Sequence, residues 1–102
     1  MNLVYNDNGF NEIIVTPDCE WADFYSFSDH LKLWLNIDYS RKLHDFDSCY
    51  WDFSFKDSDI TVHYNVFLGI SIYPTKAALA GQCDNEKIVE ILEILKNKPS
   101  LE

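Results

Sequence analysis

The sequence predicts a two-layer α+β domain. A mainly antiparallel sheet of five or six strands carries two helices on one face, in the order β-β-α-β-β-β-β-α. Three observations predict it. Residues 49–56 alternate Cys49, Trp51, Phe53 and Phe55 with Tyr50, Asp52, Ser54 and Lys56, the two-residue period of a strand with one apolar face. The strand-like segments after residue 37 are separated by turns of a few residues, which join antiparallel neighbours rather than parallel ones. Two further segments repeat apolar residues at helical spacing. The chain has 102 residues, 47% hydrophobic and 16% aromatic. That suffices for one core, so residues 1–98 are expected to form a single domain. Residues 99–102 follow as a tail in which Leu101 and Glu102 read as a cloning scar.

Residues 3–5 and 11–16 read as short strands joined through Asn6-Asp7-Asn8-Gly9, whose Asn-Gly pair favours a tight hairpin turn. Pro17 closes the second strand, and Asp18 is the expected helix N-cap. Phe24, Phe27, Leu31 and Trp34 then mark one helical face, and Asn36 the stop. A strand over 21–25 followed by a shorter helix from Ser28 is the competing reading. Residues 37–44 read as a strand, and Asp45-Phe46-Asp47-Ser48 turns the chain into the Trp51 strand. Lys56-Asp57-Ser58-Asp59 is a polar turn into a strand over 60–64, and Asn65-Val66-Phe67 makes the next turn. Leu68, Ile70 and Ile72 alternate until Pro74. One helical turn is expected over 75–80, and Asp84 caps a helix from Glu86 to about Lys96 with Ile88, Ile91, Leu92 and Leu95 as its apolar stripe.

With both helices on one face, the other face is expected to stay largely in water. The simplest register puts Tyr50, Asp52, Ser54, Thr61, His63, Ser71 and Tyr73 there, with Gly69 leaving a dent. Tyr, Ser, Asp and His suit protein contact. The 17 acidic and 8 basic residues give a formal charge of −9. Residues 1–60 hold twelve acids against four basic residues, a net of −8, so the charge is concentrated there. An acidic chain lacks the basic footprint of a nucleic-acid binder and is repelled by anionic lipid, so neither partner is expected. General solubility explains such acidity, and so does an electropositive protein partner that the field would steer. The first residues lack a basic stretch followed by an apolar one, and no apolar run has the length of a membrane span. Three cysteines, 30 and 34 residues apart, fit neither a disulfide framework nor a zinc site, and a reduced cytoplasm is the expected compartment.

Candidate chemistry is sparse. Cys49 with His44 suggests a thiol and a base, but Cys49 alternates with Trp51, Phe53 and Phe55, which predicts an inert thiol in the core. His30, His44 and His63 have no ligand-spaced partners, so no metal is expected. Asp45 and Asp47, then Asp57 and Asp59, pair at two-residue spacing, which suits cation binding, acid–base work or turn formation. The missing central Gly argues against a calcium loop. No Gly-rich phosphate loop and no Gly-x-Ser-x-Gly elbow is present. No cofactor and no enzymatic activity are expected.

The Phe24, Phe27 and Leu31 helix leads to Asp45-Phe46-Asp47-Ser48-Cys49-Tyr50-Trp51-Asp52-Phe53. After it come Asp59-Ile60-Thr61-Val62-His63-Tyr64, Gly69-Ile70-Ser71-Ile72-Tyr73-Pro74 and a last apolar helix. Over residues 18–96 this order, with its size, acidity and Trp-centred strand, resembles the small acidic immunity proteins of bacterial polymorphic-toxin and contact-dependent growth inhibition systems. The resemblance implies a cytoplasmic inhibitor that occludes one cognate toxin domain, often a nuclease, and it carries over no catalytic residue. The expected partner is basic and the chain monomeric. The candidate contact residues are Asp45, Asp47, Tyr50, Asp52, Asp57, Asp59, His63 and Tyr73. A homo-oligomeric regulatory or structural module and a small Cys/His enzyme are the alternative readings.

Overall fold

Each period-two segment forms a strand of one six-stranded antiparallel sheet in the computed structural model, which describes residues 1–98; the expected tail at 99–102 lies outside the described residues. The strands are β1 (Asn2–Tyr5), β2 (Asn11–Thr16), β3 (Tyr39–His44), β4 (Ser48–Phe55), β5 (Ser58–Asn65) and β6 (Gly69–Pro74). Their spatial order is β1-β2-β6-β5-β4-β3. Strands β3 to β6 are a meander joined by short turns, as expected. Helix α1 (Trp21–Leu35) carries the chain from β2 across to β3 at the far edge. Helix α2 (Gln82–Lys96) follows a short 3-10 turn at Ala77–Leu79. The fold is therefore α+β, with both helices on one face.

That face is chosen by the apolar half of each strand. Cys49, Trp51, Phe53 and Phe55 of β4, Ile60, Val62 and Tyr64 of β5, and Ile70 and Ile72 of β6 form one buried cluster with Ile13 of β2. Phe24, Phe27, Leu31 and Leu35 of α1 and Ile88, Ile91, Leu92 and Leu95 of α2 close it from above. The α1 stripe ends in Leu35 rather than Trp34, which is half-buried with its ring 5.2 Å from His30. Ring packing fixes the layer: Phe24 meets Trp51 edge-on at 5.0 Å and stacks on Tyr64 at 5.6 Å.

Both helices start differently from expectation. The N-cap of α1 is Glu20, not Asp18: the Glu20 N–H donates to Asp23 Oδ2 at 2.8 Å, so the stabilising carboxylate sits inside the first turn. Residues 21–25 are helical, which removes the competing strand. Helix α2 starts four residues before Glu86, behind Gly81, whose N–H donates to Asp84 Oδ2 at 3.1 Å. Asp84 stabilises the turn from within it, where a carboxylate also suits the positive helix end. Asn85 then ties α2 to the sheet, accepting from the Asn11 N–H at 2.8 Å and donating to the Gly9 carbonyl at 3.3 Å.

The remaining differences lie in turns. β3 starts at Tyr39, not Ile37, and its Tyr39 hydroxyl donates to the Ser28 carbonyl at 2.7 Å. The turn after β4 needs only Lys56 and Asp57, at φ 48° and 70°; both angles positive is the twist a two-residue hairpin requires, and Ser58 and Asp59 already belong to β5. Gly69 leaves no dent. It has φ +80°, and a Cβ there would lie 1.9 Å from the Thr16 carbonyl oxygen, so the end of β2 fills that space. No helix among the described residues is long and apolar enough to cross a membrane.

Gly69→Ala is therefore expected to destabilise strongly. The left-handed backbone alone costs about 1–3 kcal/mol, and the clash with β2 adds to it. Urea unfolding followed by Trp fluorescence checks this, and an unchanged midpoint would contradict the close approach of β2 and β6.

Candidate functional site

The sheet face away from the helices is built by strand register. On β4 it receives Tyr50, Asp52 and Ser54; on β5 Asp59, Thr61 and His63; on β6 Ser71 and Tyr73; on β3 Arg41 and Leu43. Tyr50 lies directly opposite His63, and their rings stack at 4.4 Å with an 11° interplanar angle. Tyr73 meets His63 edge-on at 5.9 Å, and Phe10 packs behind Tyr73 at 6.2 Å. Tyr50, His63 and Tyr73 thus form a continuous aromatic strip across three strands.

Beside the strip runs a polar line. Thr61, opposite Asp52, donates to Asp52 Oδ1 at 2.7 Å, and its oxygen lies 2.9 Å from the Thr75 hydroxyl. Thr61 is only 3% exposed, so this face is not simply bathed in water; its own polar side chains cover its centre. Asp52 is held in place with one oxygen engaged, while Arg41 faces it across β3 with no ion pair between them. Arg41, Leu43, Tyr50, Asp52, Thr61, Tyr73 and Thr75 enclose a shallow depression of about 190 Å³. Aromatic walls and a fixed carboxylate suit a cationic side chain, through ring-face attraction and a charge-assisted hydrogen bond.

Two titrating groups feel the dry centre. Burial pushes the His63 imidazole below its ordinary range, and its Nε2 is buried without a partner. Burial also raises Tyr73, with Tyr50, Glu12 and Asp52 adding in the same direction. Both shifts favour the uncharged forms of His63 and Tyr73.

Of the expected contact residues, the structure brings Tyr50, Asp52, His63 and Tyr73 together on this face, with Asp59 opposite Ser54 nearer its margin. Asp45 and Asp47 occupy the turn before β4 and Asp57 the turn after it, at opposite ends of an eight-residue strand that spans roughly 25 Å. The acids at residues 45–59 are therefore not one patch. Thr61, Thr75 and Arg41 join the site without having been singled out for contact. Thr61 lies two residues from the expected His63 on the same face, but its bond to Asp52 depends on the β4–β5 register, which the two-residue turn at Lys56 and Asp57 sets and the expected four-residue turn does not give.

Cys49 is fully buried, and its Sγ lies 3.1 Å from His44 Nδ1. The Trp51 indole N–H donates to His44 Nε2 at 3.2 Å. An indole only donates, so Nε2 supplies the lone pair and the neutral ring carries its proton on Nδ1, directed at the sulfur. In that tautomer His44 is not placed to take the thiol proton, and burial raises the Cys49 pKa further. Cys19 is raised to about 11, by burial first and then by Asp23 and Asp18. His30 Nδ1 donates to the Ser26 carbonyl at 2.7 Å, so the three histidines occupy three separate settings. Among the described residues no group of three or more His, Cys, Asp or Glu side chains is placed to hold a metal ion.

Two outcomes follow from these settings. The folded-state pKa of His63 lies below its unfolded value, so its neutral form contributes full stability above about pH 6.5, and this contribution falls as pH drops through 6.5 toward the folded-state pKa. Thermal melts between pH 7.5 and 5 should show a smaller loss for His63→Gln than for the wild type; identical slopes would contradict it. For the thiols, a disulfide-exchange reagent should modify exposed Cys83 quickly in the native protein and Cys49 only on unfolding. Rapid native labelling of Cys49 would overturn its burial in the core. Comparison of this chain with protein-family models, with curated proteins and with solved structures finds no match.

Proposed function

We propose that this protein is a non-catalytic inhibitor that binds and occludes a basic bacterial toxin domain, of the nuclease type that the sequence resemblance implies. The observation that carries the reading is the uncovered sheet face, where the Tyr50, His63 and Tyr73 strip stands beside a fixed Asp52 in a chain of charge −9. Rigid aromatic anchors beside a carboxylate supply the contact energy of protein interfaces, and Tyr loses little entropy when held. Asp52 is placed to take a Lys or Arg that would otherwise hold substrate phosphate. Asp59 extends the acidic character of the face, while Asp45, Asp47 and Asp57 act from its ends as steering charges. The partner is a protein rather than nucleic acid or membrane. The inhibitor works as a cytoplasmic monomer, since a net charge of −9 opposes self-association.

Protection of growth tests this. Co-expression of the chain with the toxin domain encoded beside its gene should restore growth, and purified wild-type chain should bind that domain. Tyr50→Ala and Asp52→Ala should each weaken binding by about tenfold or more, without unfolding the chain. Asp45→Asn with Asp47→Asn should chiefly slow association and flatten its salt dependence. A toxin whose effect on growth is unchanged by the chain, or a gene with no toxin beside it, would overturn the reading.

A further inference from the structure

Three large apolar side chains stand almost free at one end of the sheet. Phe46, in the β3–β4 turn, is 92% exposed; Phe67 and Leu68, in the β5–β6 turn, are 81% and 70% exposed. Among the described residues neither Phe has a ring partner or a place in the core. Exposed apolar side chains scattered singly are ordinary, but these sit on adjacent turns that are bonded to each other. The Val66 N–H donates to the Asp47 carbonyl at 3.0 Å, and Asn65 Nδ2 donates to Ser48 Oγ at 2.8 Å. Each turn is also braced internally. The Asp45 N–H donates to the Ser48 carbonyl at 2.8 Å, and Asn65 Oδ1 accepts from the Phe67 and Leu68 N–H groups at 2.8 and 3.2 Å. The two turns are one preformed tip, so ordering them against a partner costs little.

We infer that this tip is a docking element for a protein surface that combines an apolar cleft with a basic rim. The charge argument comes from the segments around it. Residues 45–47, 65–69 and 16–20, the last packed against Gly69, contain Asp18, Glu20, Asp45 and Asp47 and no Lys or Arg. An apolar tip whose neighbouring segments carry only acidic charge repels anionic lipid and a second copy of itself, and matches a cationic rim. The tip also continues the uncovered face. Tyr50 and His63 each lie two residues inward of Ser48 and Asn65, about 7 Å along the strands. Phe46 and Phe67 would then be the apolar anchors and Asp45 and Asp47 the acids bordering them. The inference rests on the proposed function only for the identity of the partner, not for its chemistry.

The test uses the isotope-labelled full chain and an amphipathic helical peptide of Leu and Lys, with a Leu and Glu peptide of the same pattern as control. The Leu/Lys peptide should shift amide resonances at residues 45–47, 66–69 and 16–20, and the control should not. Phe46→Ser with Phe67→Ser should weaken that binding at least tenfold while leaving the melting temperature within a few degrees, because neither ring is packed. Shifts centred on Tyr50 and Tyr73 alone, equal binding of both peptides, no binding, or affinity unaffected by the double substitution would overturn the inference. So would a concentration-dependent dimer that the double substitution abolishes, since the occupant would then be a second copy. Growth protection by the wild-type chain judges the toxin reading separately, so failure there and a positive peptide result remain distinguishable.

Discussion

The structure depends on the seating of Phe24 between Trp51 and Tyr64. Its ring lies 5.0 Å from Trp51 and 5.6 Å from Tyr64, and Trp21 adds a further edge contact to Tyr64 at 4.8 Å. Each such pair contributes about 0.5–1.5 kcal/mol beyond area burial, and truncating a buried Phe costs about 3–5 kcal/mol. This packing pins the long crossover helix α1 to the centre of the sheet, while α2 covers the β2 and β6 side. Once both helices are committed to that face, the opposite parity of every central strand is left uncovered. The candidate site is thus a consequence of where the aromatic core went. Its residues are those that the core excluded.

The uncovered face resolves a tension inherent in leaving a sheet unprotected. A wholly apolar second face would aggregate, and a wholly charged one would have little to hold a partner. Here the Tyr50 and His63 rings stack on each other, and the Asp52–Thr61–Thr75 line is hydrogen-bonded within the sheet. The sheet edges are guarded differently. β1 has only four residues, and Lys42 on β3 lies 4.2 Å over the Trp51 ring, which places a cation at the outer edge. Both devices favour association through the face and its ends over strand-to-strand pairing.

Much of this was legible in the sequence, and the parts that were not share a cause. The β4 alternation from Cys49 to Phe55 announced its own two faces, because a strand buried on one side writes a period of two. Ile88, Ile91, Leu92 and Leu95 likewise announced α2. The helix starts were misplaced because Asp23 and Asp84 act from inside the first turn, so an N-cap search falls two residues early at Asp18 for α1 and three residues late at Asp84 for α2. The strand order was not legible, since β2 joins β6 through pairings more than fifty residues apart. The acids grouped at 45–59 in sequence are dispersed in space, with Asp45 and Asp47 at one end of β4, Asp57 at the other and Asp52 on the face between, for an extended strand holds its flanking turns far apart. Gly69 is the clearest case: its need for a bare Cα comes from the Thr16 and Pro17 backbone, which nothing near Gly69 in sequence reveals.

A two-sided sheet, dry against its helices and open opposite them, is most directly read by hydroxyl-radical footprinting of the aromatic side chains, free and with the proposed toxin partner added. In the free chain Phe46, Phe67 and Tyr5 should oxidise readily, Tyr50 and Tyr73 more slowly than Tyr5, and Phe24, Phe27 and Tyr64 hardly at all. On binding, protection should appear at Tyr50, Tyr73 and the two exposed Phe residues and leave the core unchanged. Oxidation of Phe24 and Tyr64 as fast as Tyr50 in the free chain, or a bound state that leaves Tyr50 and Tyr73 as reactive as before, would contradict it.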